Sequence, residues 1–145
     1  MANDGGSTVL PRYLLVIRTA PEFVVYVHTV DSVLVVDEES AISDLLADIF
    51  VSAGYDVHAA STTDEAMSAL GKRFSIAVCD SQIIHSEGHR LARWLAENQA
   101  GTKVILMCAS GLPCKDCIAF TPCEVIAKPF LPDEIVGRVA ESLRN

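Results

Sequence analysis

The stretch VLVVDEESAISDLLADIF (33–50) decides the fold of this 145-residue chain. Its first part, Val33 to Val36, is a continuous apolar run, which is typical of a strand buried on both faces of a sheet. Its second part carries apolar residues at helical spacing and is followed by Gly54 as a stop signal. The apolar face consists of Ile42, Leu45, Leu46, Ile49 and Phe50. The stretch therefore predicts a β-strand followed by an α-helix.

The same alternation of a short apolar run and a longer helical pattern continues along the chain. The further continuous runs are Ile76 to Cys79, Val104 to Cys108 and Val125 to Ala127. The segment Tyr55 to Ala59 instead mixes polar and apolar residues, which predicts a strand at a partly exposed sheet edge. Repeated βα units of this kind indicate an α/β fold built on a parallel sheet.

Five strands joined by right-handed crossovers leave few arrangements of the sheet. The commonest arrangement at this size predicts a doubly wound, five-stranded parallel sheet of order 2-1-3-4-5, with helices on both faces in a three-layer sandwich. Further helices are predicted to begin at the capping sequence Thr62 to Glu65, after Gly88 and at Pro132. Between Gly111 and Phe120 there is room only for a short, irregular helix.

Residues 1–31 lie outside this rhythm and are interpreted as an N-terminal extension of a domain that spans residues 32–145. Met1 to Thr8 has the composition of a disordered tail. The apolar runs Tyr13 to Ile17 and Phe23 to Val30 are separated by Ala20 and Pro21, so they predict either a β-hairpin or a leader segment that does not conform to the fold.

Charge and hydropathy exclude two classes of function. The net charge of −8 and the pI of about 4.8 argue against direct binding to nucleic acid, which depends on clustered Lys and Arg. No window offers the roughly 20 uninterrupted apolar residues of a membrane span. The acidic, Gly-rich start also lacks the positive charge of a signal peptide. We therefore expect a cytoplasmic protein.

Acidic residues stand at the ends of two strands that are predicted to be neighbours. Asp37 and Glu38 follow the first strand, and Asp80 ends the third. Two like charges about 4 Å apart cost about 4 kcal/mol at an effective dielectric of about 20, so three converging carboxylates need a counter-charge. Mg²⁺, or Mn²⁺ in its place, prefers such oxygen ligands and retains waters that a phosphate can replace. The acidic residues at these two strand ends therefore predict a site for a hard divalent cation.

A lysine and a small hydrogen-bond donor are predicted at the same edge of the sheet as the acidic residues. Lys128 ends the fifth strand, and Cys108 and Ser110 lie at the end of the fourth. A nucleophilic carboxylate, a metal, a lysine and a small hydrogen-bond donor together are the components of a phosphoryl-transfer site.

On these residues the sequence resembles the receiver domain of two-component response regulators, a chemotaxis-Y-like domain of flavodoxin-like fold. The signs are the acidic pair after VLVV (33–36), Asp80 with Gly88 eight residues later, and Lys128-Pro129-Phe130, and the resemblance covers residues 32–145, nearly four-fifths of the chain. The resemblance implies that Asp80 is the phosphoacceptor and that Lys128 is the family's lysine. It also implies that the metal ligands are Asp37, Glu38, Asp80 and the backbone carbonyl of Gln82.

The sequence departs from the family's pattern at four positions. Cys108 stands where Thr or Ser is usual, and a thiol donates weakly, so we expect weaker stabilisation of the phosphoryl group unless Ser110 substitutes. Glu38 stands where Asp is commoner, and Ile84 replaces a usual Pro. Val125 stands where the family often has Tyr or Phe, whose side chain changes rotamer on phosphorylation. The resemblance therefore does not predict how phosphorylation would be passed on to a partner.

Five cysteines form an odd set without an extracellular context, so a disulfide framework is disfavoured. Cys114 and Cys117 have C-x-x-C spacing, with Cys123 six residues further on, which is compatible with zinc binding or redox chemistry. A fourth ligand is missing nearby, although His85 and His89 lie four residues apart. The interpretation as ordinary cysteines is favoured.

The sequence thus favours a stand-alone receiver that takes a phosphoryl group from a sensor histidine kinase or a phosphotransfer protein. It would signal to an effector protein and would not be an enzyme beyond self-phosphotransfer and autodephosphorylation. Only one helix follows the fifth strand, so we expect no effector domain in this chain, and we expect any homodimer to use the face of strands four and five and the last helix. Two alternatives stay open: a pseudo-receiver that binds proteins without phosphorylation, and a cysteine-based metal or redox sensor.

Overall fold

The structure, a computed structural model of the chain, describes residues 13–19, 23–69, 71–109 and 123–145. Five strands form one sheet: β3 (Ser32–Val36), β4 (Asp56–Ala60), β5 (Ile76–Asp80), β6 (Lys103–Cys108) and β7 (Cys123–Ala127). All neighbouring pairs are parallel, and the order is β4-β3-β5-β6-β7. The predicted 2-1-3-4-5 order is confirmed, and the mixed segment after Tyr55 forms an edge strand as expected.

Four helices are described: α1 (Ser40–Ser52), α2 (Thr63–Met67), α3 (Ser81–Asn98) and α4 (Pro132–Arg144). The predicted cap of α2 is present, because Thr62 Oγ1 accepts the Glu65 N–H at 3.0 Å. The Glu65 carboxylate accepts the N–H of Ser61 at 2.7 Å. Pro132 occupies the first turn of α4, where its missing N–H costs no intrahelical bond.

Helix α3 begins earlier than predicted. The prediction placed its start after Gly88, but the helix begins at Ser81, because the Asp80 carboxylate caps it by accepting the Gln82 N–H at 3.0 Å. The backbone nevertheless leaves the right-handed region on both sides of Gly88, with φ of 52° at Glu87 and 63° at His89. The glycine therefore marks an irregularity inside α3 instead of its first residue.

Two apolar layers cover the sheet and produce the predicted three-layer sandwich. On one face α1 and α4 contribute Leu46, Phe50, Ile135, Val139 and Leu143. On the other face α2 and α3 contribute Ala66, Ile83, Ile84, Leu91 and Leu95. Burial on both faces explains why the strand sequences are continuously apolar.

Polar contacts tie α4 to the edge strand β7. Arg138 Nη2 donates to the carbonyl oxygen of Val125 at 3.0 Å and lies 3.6 Å from Glu124 Oε1. Ser142 Oγ donates to Glu124 Oε2 at 2.7 Å. Two side chains of α4 are thereby fixed to one short strand.

In the N-terminal extension, β1 (Tyr13–Thr19) and β2 (Phe23–Thr29) form a two-stranded antiparallel sheet in which Tyr13 is opposite Thr29. The two apolar runs therefore pair as antiparallel strands, and residues 20–22, which connect them, lie outside the described residues. The tail predicted for residues 1–8, the short helix predicted between residues 111 and 120, and Ser110, Cys114 and Cys117 all lie outside the described residues. Among the described helices none combines the length and the apolar character needed to cross a bilayer.

Candidate functional site

Three polar residues meet at the carboxyl end of the sheet. Asp37 directly follows β3, Asp80 is the last residue of β5, and Lys128 directly follows β7. Backbone bonds extend the strand ladders to this rim, since the Asp37 N–H donates to the Ala60 carbonyl at 3.1 Å and the Lys128 N–H donates to the Cys108 carbonyl at 3.0 Å. The parallel ladder thus fixes the position from which each side chain starts.

Lys128 joins the two carboxylates. Its Nζ lies 2.6 Å from Asp80 Oδ1 and 3.4 Å from Asp37 Oδ2. Asp37 is only 1% exposed and Asp80 7% exposed, whereas the Lys128 side chain is about one-third exposed. Two nearly buried negative charges are therefore balanced by one ammonium that reaches them from solvent.

The remaining carboxylate oxygens accept backbone N–H groups. Asp37 Oδ1 accepts the N–H of Glu39 at 2.9 Å, and Asp80 Oδ2 accepts the N–H of Gln82 at 3.0 Å. Each Asp therefore bonds two residues further along the chain, a turn that short acidic side chains favour. These two donors could not be predicted from the sequence. They are backbone N–H groups, which nearly every residue has, so no particular residue type indicates them.

The environment holds the pKa of Lys128 above its usual value. Burial of the ammonium lowers the pKa, but the hydrogen bond and the charge of Asp80 raise it, and the charge of Asp37 adds to this effect. The raising contributions outweigh burial. Lys128 therefore remains a cation at neutral pH, as a residue that balances two carboxylates must.

The other residues predicted for this site have different positions. Glu38 is exposed, and the two carboxylates described in contact with Lys128 are those of Asp37 and Asp80. Gln82 lies in the first turn of α3 with an exposed side chain, and the contact described for it is its N–H bond to Asp80. Cys108 ends β6 and is half-buried, and Ser110 lies outside the described residues. The structure thus brings Asp37, Asp80 and Lys128 together.

The donor set fits a hard divalent cation. Within the described ranges, no three side chains of His, Cys, Asp or Glu are gathered so that they could hold a metal ion by themselves. Mg²⁺ does not require three, because it is commonly bound through one or two carboxylates while it keeps several waters. Asp37 and Asp80 supply two such carboxylates at neighbouring strand tips.

Comparison with known proteins gives one consistent family. The response regulator receiver domain family matches residues 33–140. The transcriptional regulatory protein GltR of Pseudomonas aeruginosa is 29% identical over 119 residues, which cover 79% of this chain and 49% of GltR. ResD of Bacillus subtilis is 30% identical over 116 residues, which cover 78% of this chain and 48% of ResD. The chain spans about half the length of these curated relatives.

Solved structures share the fold. A CheY-like response regulator receiver domain protein from Methanospirillum hungatei matches with a TM-score of 0.67 and 24% identity, covering 80% of this chain and 95% of that protein. Chemotaxis protein CheY4 of Vibrio cholerae matches with a TM-score of 0.68 and 21% identity, covering 78% of this chain and 98% of CheY4. The family match itself extends from the second residue of β3 into α4, and by it this chain belongs to the response regulator receiver domain family.

Proposed function

We propose that this receiver domain accepts a phosphoryl group on Asp80 from a phosphohistidine of a sensor histidine kinase or a phosphotransfer protein. A carboxylate oxygen of Asp80 forms a bond to phosphorus, the phosphorus–nitrogen bond of the donor breaks, and the imidazole leaves with the electron pair. The main support is the position of Asp80, whose nearly buried carboxylate lies 2.6 Å from the Lys128 ammonium and shares that cation with Asp37.

In this proposal the Lys128 ammonium balances negative charge at the site both before and after phosphoryl transfer. Before transfer its ammonium is bonded to Asp80 Oδ1. In this state burial lowers the pKa of Lys128, but the hydrogen bond and charge of Asp80 and the charge of Asp37 raise it by more, so the ammonium is protonated. After transfer the same carboxyl group is part of an acyl phosphate, and the ammonium would then pair with the new phosphoryl oxygens. Lys128 is therefore proposed to orient and stabilise the phosphoryl group.

Mg²⁺, or Mn²⁺, is proposed as the cofactor, held by the Asp37 and Asp80 carboxylates with Glu38 and the Gln82 carbonyl as further candidate ligands. When bound, the cation would neutralise charge on the phosphoryl oxygens. Asp37 would keep its bond to the Glu39 N–H throughout. Cys108 and Ser110 are the candidate small donors at the end of β6, and the first would donate through a weak S–H.

The output is proposed to be a conformational change that a partner protein reads in the cytoplasm. Lys128 is three residues before the N-cap of α4, and a shift of its ammonium on phosphorylation is proposed to reach that helix through this short connection. The face formed by β6, β7 and α4 is the proposed contact surface for an effector or for a second copy of the chain. The domain acts as a signalling switch, with self-phosphotransfer and autodephosphorylation as its only proposed chemistry.

Intact-mass measurement after incubation with acetyl phosphate and Mg²⁺ tests this proposal. The chain is expected to gain the mass of one phosphoryl group, and Asp80→Asn is expected to gain none. Asp48→Asn is the matched control, because Asp48 is an exposed residue of α1 outside the site. A phosphate that persists in Asp80→Asn, or a folded parent chain that never gains one, contradicts the proposal.

A second candidate is a pseudo-receiver that binds a protein partner without phosphorylation. It is favoured by the presence of Cys108 where the family usually has Thr or Ser, and by the engagement of both Asp80 oxygens in hydrogen bonds. This candidate predicts partner binding that Asp80→Asn leaves unchanged. The cysteine-based sensor is a third and weaker candidate, and it predicts zinc binding or oxidation that depends on Cys114 and Cys117.

A further inference from the structure

The N-terminal strand pair, β1 with β2, is a sheet of only two strands. Its seven residue pairs run without interruption from Tyr13 opposite Thr29 to Thr19 opposite Phe23. Among the described strands, neither of the two pairs with the five-stranded sheet. Two strands alone are marginally stable in water, whereas three or more strands with an apolar face are stable. We propose that the strand pair is an association surface that binds the same strand pair of a second copy of this chain.

One face of the strand pair is free of charged residues. Successive residues of a strand belong to opposite faces, and residues directly opposite in an antiparallel pair share a face. The register therefore places on one face Tyr13, Leu15, Ile17, Thr19, Phe23, Val25, Val27 and Thr29. The other face includes Arg18 and His28. An uncharged face of this composition fits an apolar partner surface.

The strands also lack the features that protect sheet edges from association. Edge strands usually resist pairing through proline, lysine, other charged residues or bulges. The sequences of β1 and β2 contain no proline, lysine, aspartate or glutamate, and their register has no bulge. A second copy related by a two-fold axis adds its strand pair edge to edge. The product is a four-stranded antiparallel sheet with one continuous apolar face.

Charge favours a second copy as the partner. The chain carries a net charge of −8, so two copies repel each other over most of their surface. None of the 19 Asp and Glu residues lies in β1 or β2, so the copies can approach there at the lowest electrostatic cost. The same net charge opposes binding to an anionic bilayer, and Arg18 is the single Lys or Arg of the two strands.

The strand pair joins the domain at the end opposite Asp80. Asp31 is fixed to the domain, because its Oδ1 accepts the Ser75 hydroxyl at 2.9 Å and its carbonyl accepts the Asp56 N–H at 3.1 Å. One residue, Val30, separates Asp31 from the end of β2, so the connection spans at most about 7 Å. Asp80 lies at the carboxyl end of the five-stranded sheet. The association is therefore expected to be independent of phosphorylation and of the face formed by β6, β7 and α4.

Sedimentation equilibrium of the full chain tests the proposal. The parent chain is expected to have twice the chain mass of 15.6 kDa. Ile17→Glu/Val25→Glu places two carboxylates opposite each other on the apolar face, and the dissociation constant of the dimer is expected to rise at least tenfold. Leu45→Glu is the matched control, because Leu45 is an exposed apolar residue of α1, and this variant is expected to dimerise like the parent.

Asp80→Asn, with or without acetyl phosphate, is expected to leave the dimer unchanged. This variant separates the association from the proposed phosphorylation, because loss of the phosphoryl group leaves the mass of the dimer unaffected. A dimer that forms only when Asp80 is phosphorylated would contradict the proposal.

Hydrogen exchange gives a second measurement that requires no substitution. On dilution through the dissociation constant, the amides of β1 and β2 are expected to lose protection while those of residues 32–145 keep theirs. A parent chain that stays monomeric, a dimer that the double glutamate variant retains, or dilution-dependent protection in β7 and α4 instead would overturn the proposal. Pelleting of the parent chain with phosphatidylglycerol vesicles would assign the strand pair to a membrane and overturn it as well. Circular dichroism verifies that each variant is folded.

Discussion

Lys128 and Asp80 are bonded across an intervening strand. Their Nζ and Oδ1 atoms are 2.6 Å apart, although β6 lies between the strands β5 and β7 from which they extend. The same ammonium is 3.4 Å from Asp37, which follows β3 on the far side of β5. One side chain thus connects the tips of three strands, and this connection makes the site sensitive to the charge at position 128.

Removing the ammonium is expected to destabilise the fold. Lys128→Met leaves the Asp37 and Asp80 carboxylates nearly buried without their counter-charge, and we expect the free energy of unfolding to fall by about 2 kcal/mol in urea denaturation. Added Mg²⁺ should restore part of this loss. Lys72→Met is the control, because Lys72 pairs with Asp56 on the surface, and its loss should stay within about 0.5 kcal/mol. Equal effects of the two variants would contradict the expectation.

Stability should depend on Lys128 at alkaline pH. The folded pKa of Lys128 is raised, because the bond to Asp80 and the charges of Asp80 and Asp37 outweigh burial. Its contribution is therefore complete below the unfolded pKa of about 10.4 and is lost as the pH rises through the folded pKa. Urea unfolding between about pH 9 and pH 11.5 should show a steeper fall for the parent chain than for Lys128→Met. Parallel curves would exclude this coupling.

Tyr55 should contribute to the same alkaline loss. Its hydroxyl is buried and has no hydrogen-bond partner within the described residues, and burial, followed by the charge of Asp31, raises its pKa. Tyr55→Phe keeps the edge-to-face contact with Phe50 and removes the hydroxyl. We expect the free energy of unfolding at pH 7 to stay equal or rise by up to about 1 kcal/mol, with a shallower fall above about pH 10. A loss of more than about 1 kcal/mol would mean that the hydroxyl is satisfied.

Cys108→Thr should prolong the phosphorylated state that we propose for Asp80. A hydroxyl donates more strongly than a thiol to the phosphoryl oxygens, so the acyl phosphate on Asp80 should accumulate further and decay more slowly. Intact-mass measurements at intervals after removal of acetyl phosphate would follow the decay. Cys108→Ala removes the donor, and its phosphorylated state should decay at least as fast as that of the parent chain. A threonine variant that decays like the alanine variant would exclude position 108 as the donor.

The sheet was predictable because burial on both faces leaves a simple signature. Val33 to Val36 and Val104 to Cys108 are continuously apolar, and right-handed crossovers then restrict their order. The start of α3 was not predictable, because Gly88 is a clear signal in the sequence, whereas the capping bond that the Asp80 carboxylate accepts from the Gln82 N–H is not. That bond depends on where the strand ends.

The candidate site was predictable only in part. Asp37, Asp80 and Lys128 follow apolar runs, and strand order alone brings them to one rim. The exposed position of Glu38 was not predictable from the sequence. Glu38 lies in a turn in which the Asp37 carboxylate accepts the Glu39 N–H, and this bond sets the geometry of the turn. Strand ends can be inferred from apolar patterns, whereas turn geometry depends on individual hydrogen bonds.

The bond from Arg138 to the Val125 carbonyl also affects how the molecule meets other chains. An outermost strand normally exposes a row of backbone acceptors and donors on which a further strand can grow. The guanidinium occupies one of those acceptors and, with Glu124, adds charge at the same place. Growth of the sheet beyond β7 would first have to displace this arginine, so the bond disfavours addition of a further strand at this edge.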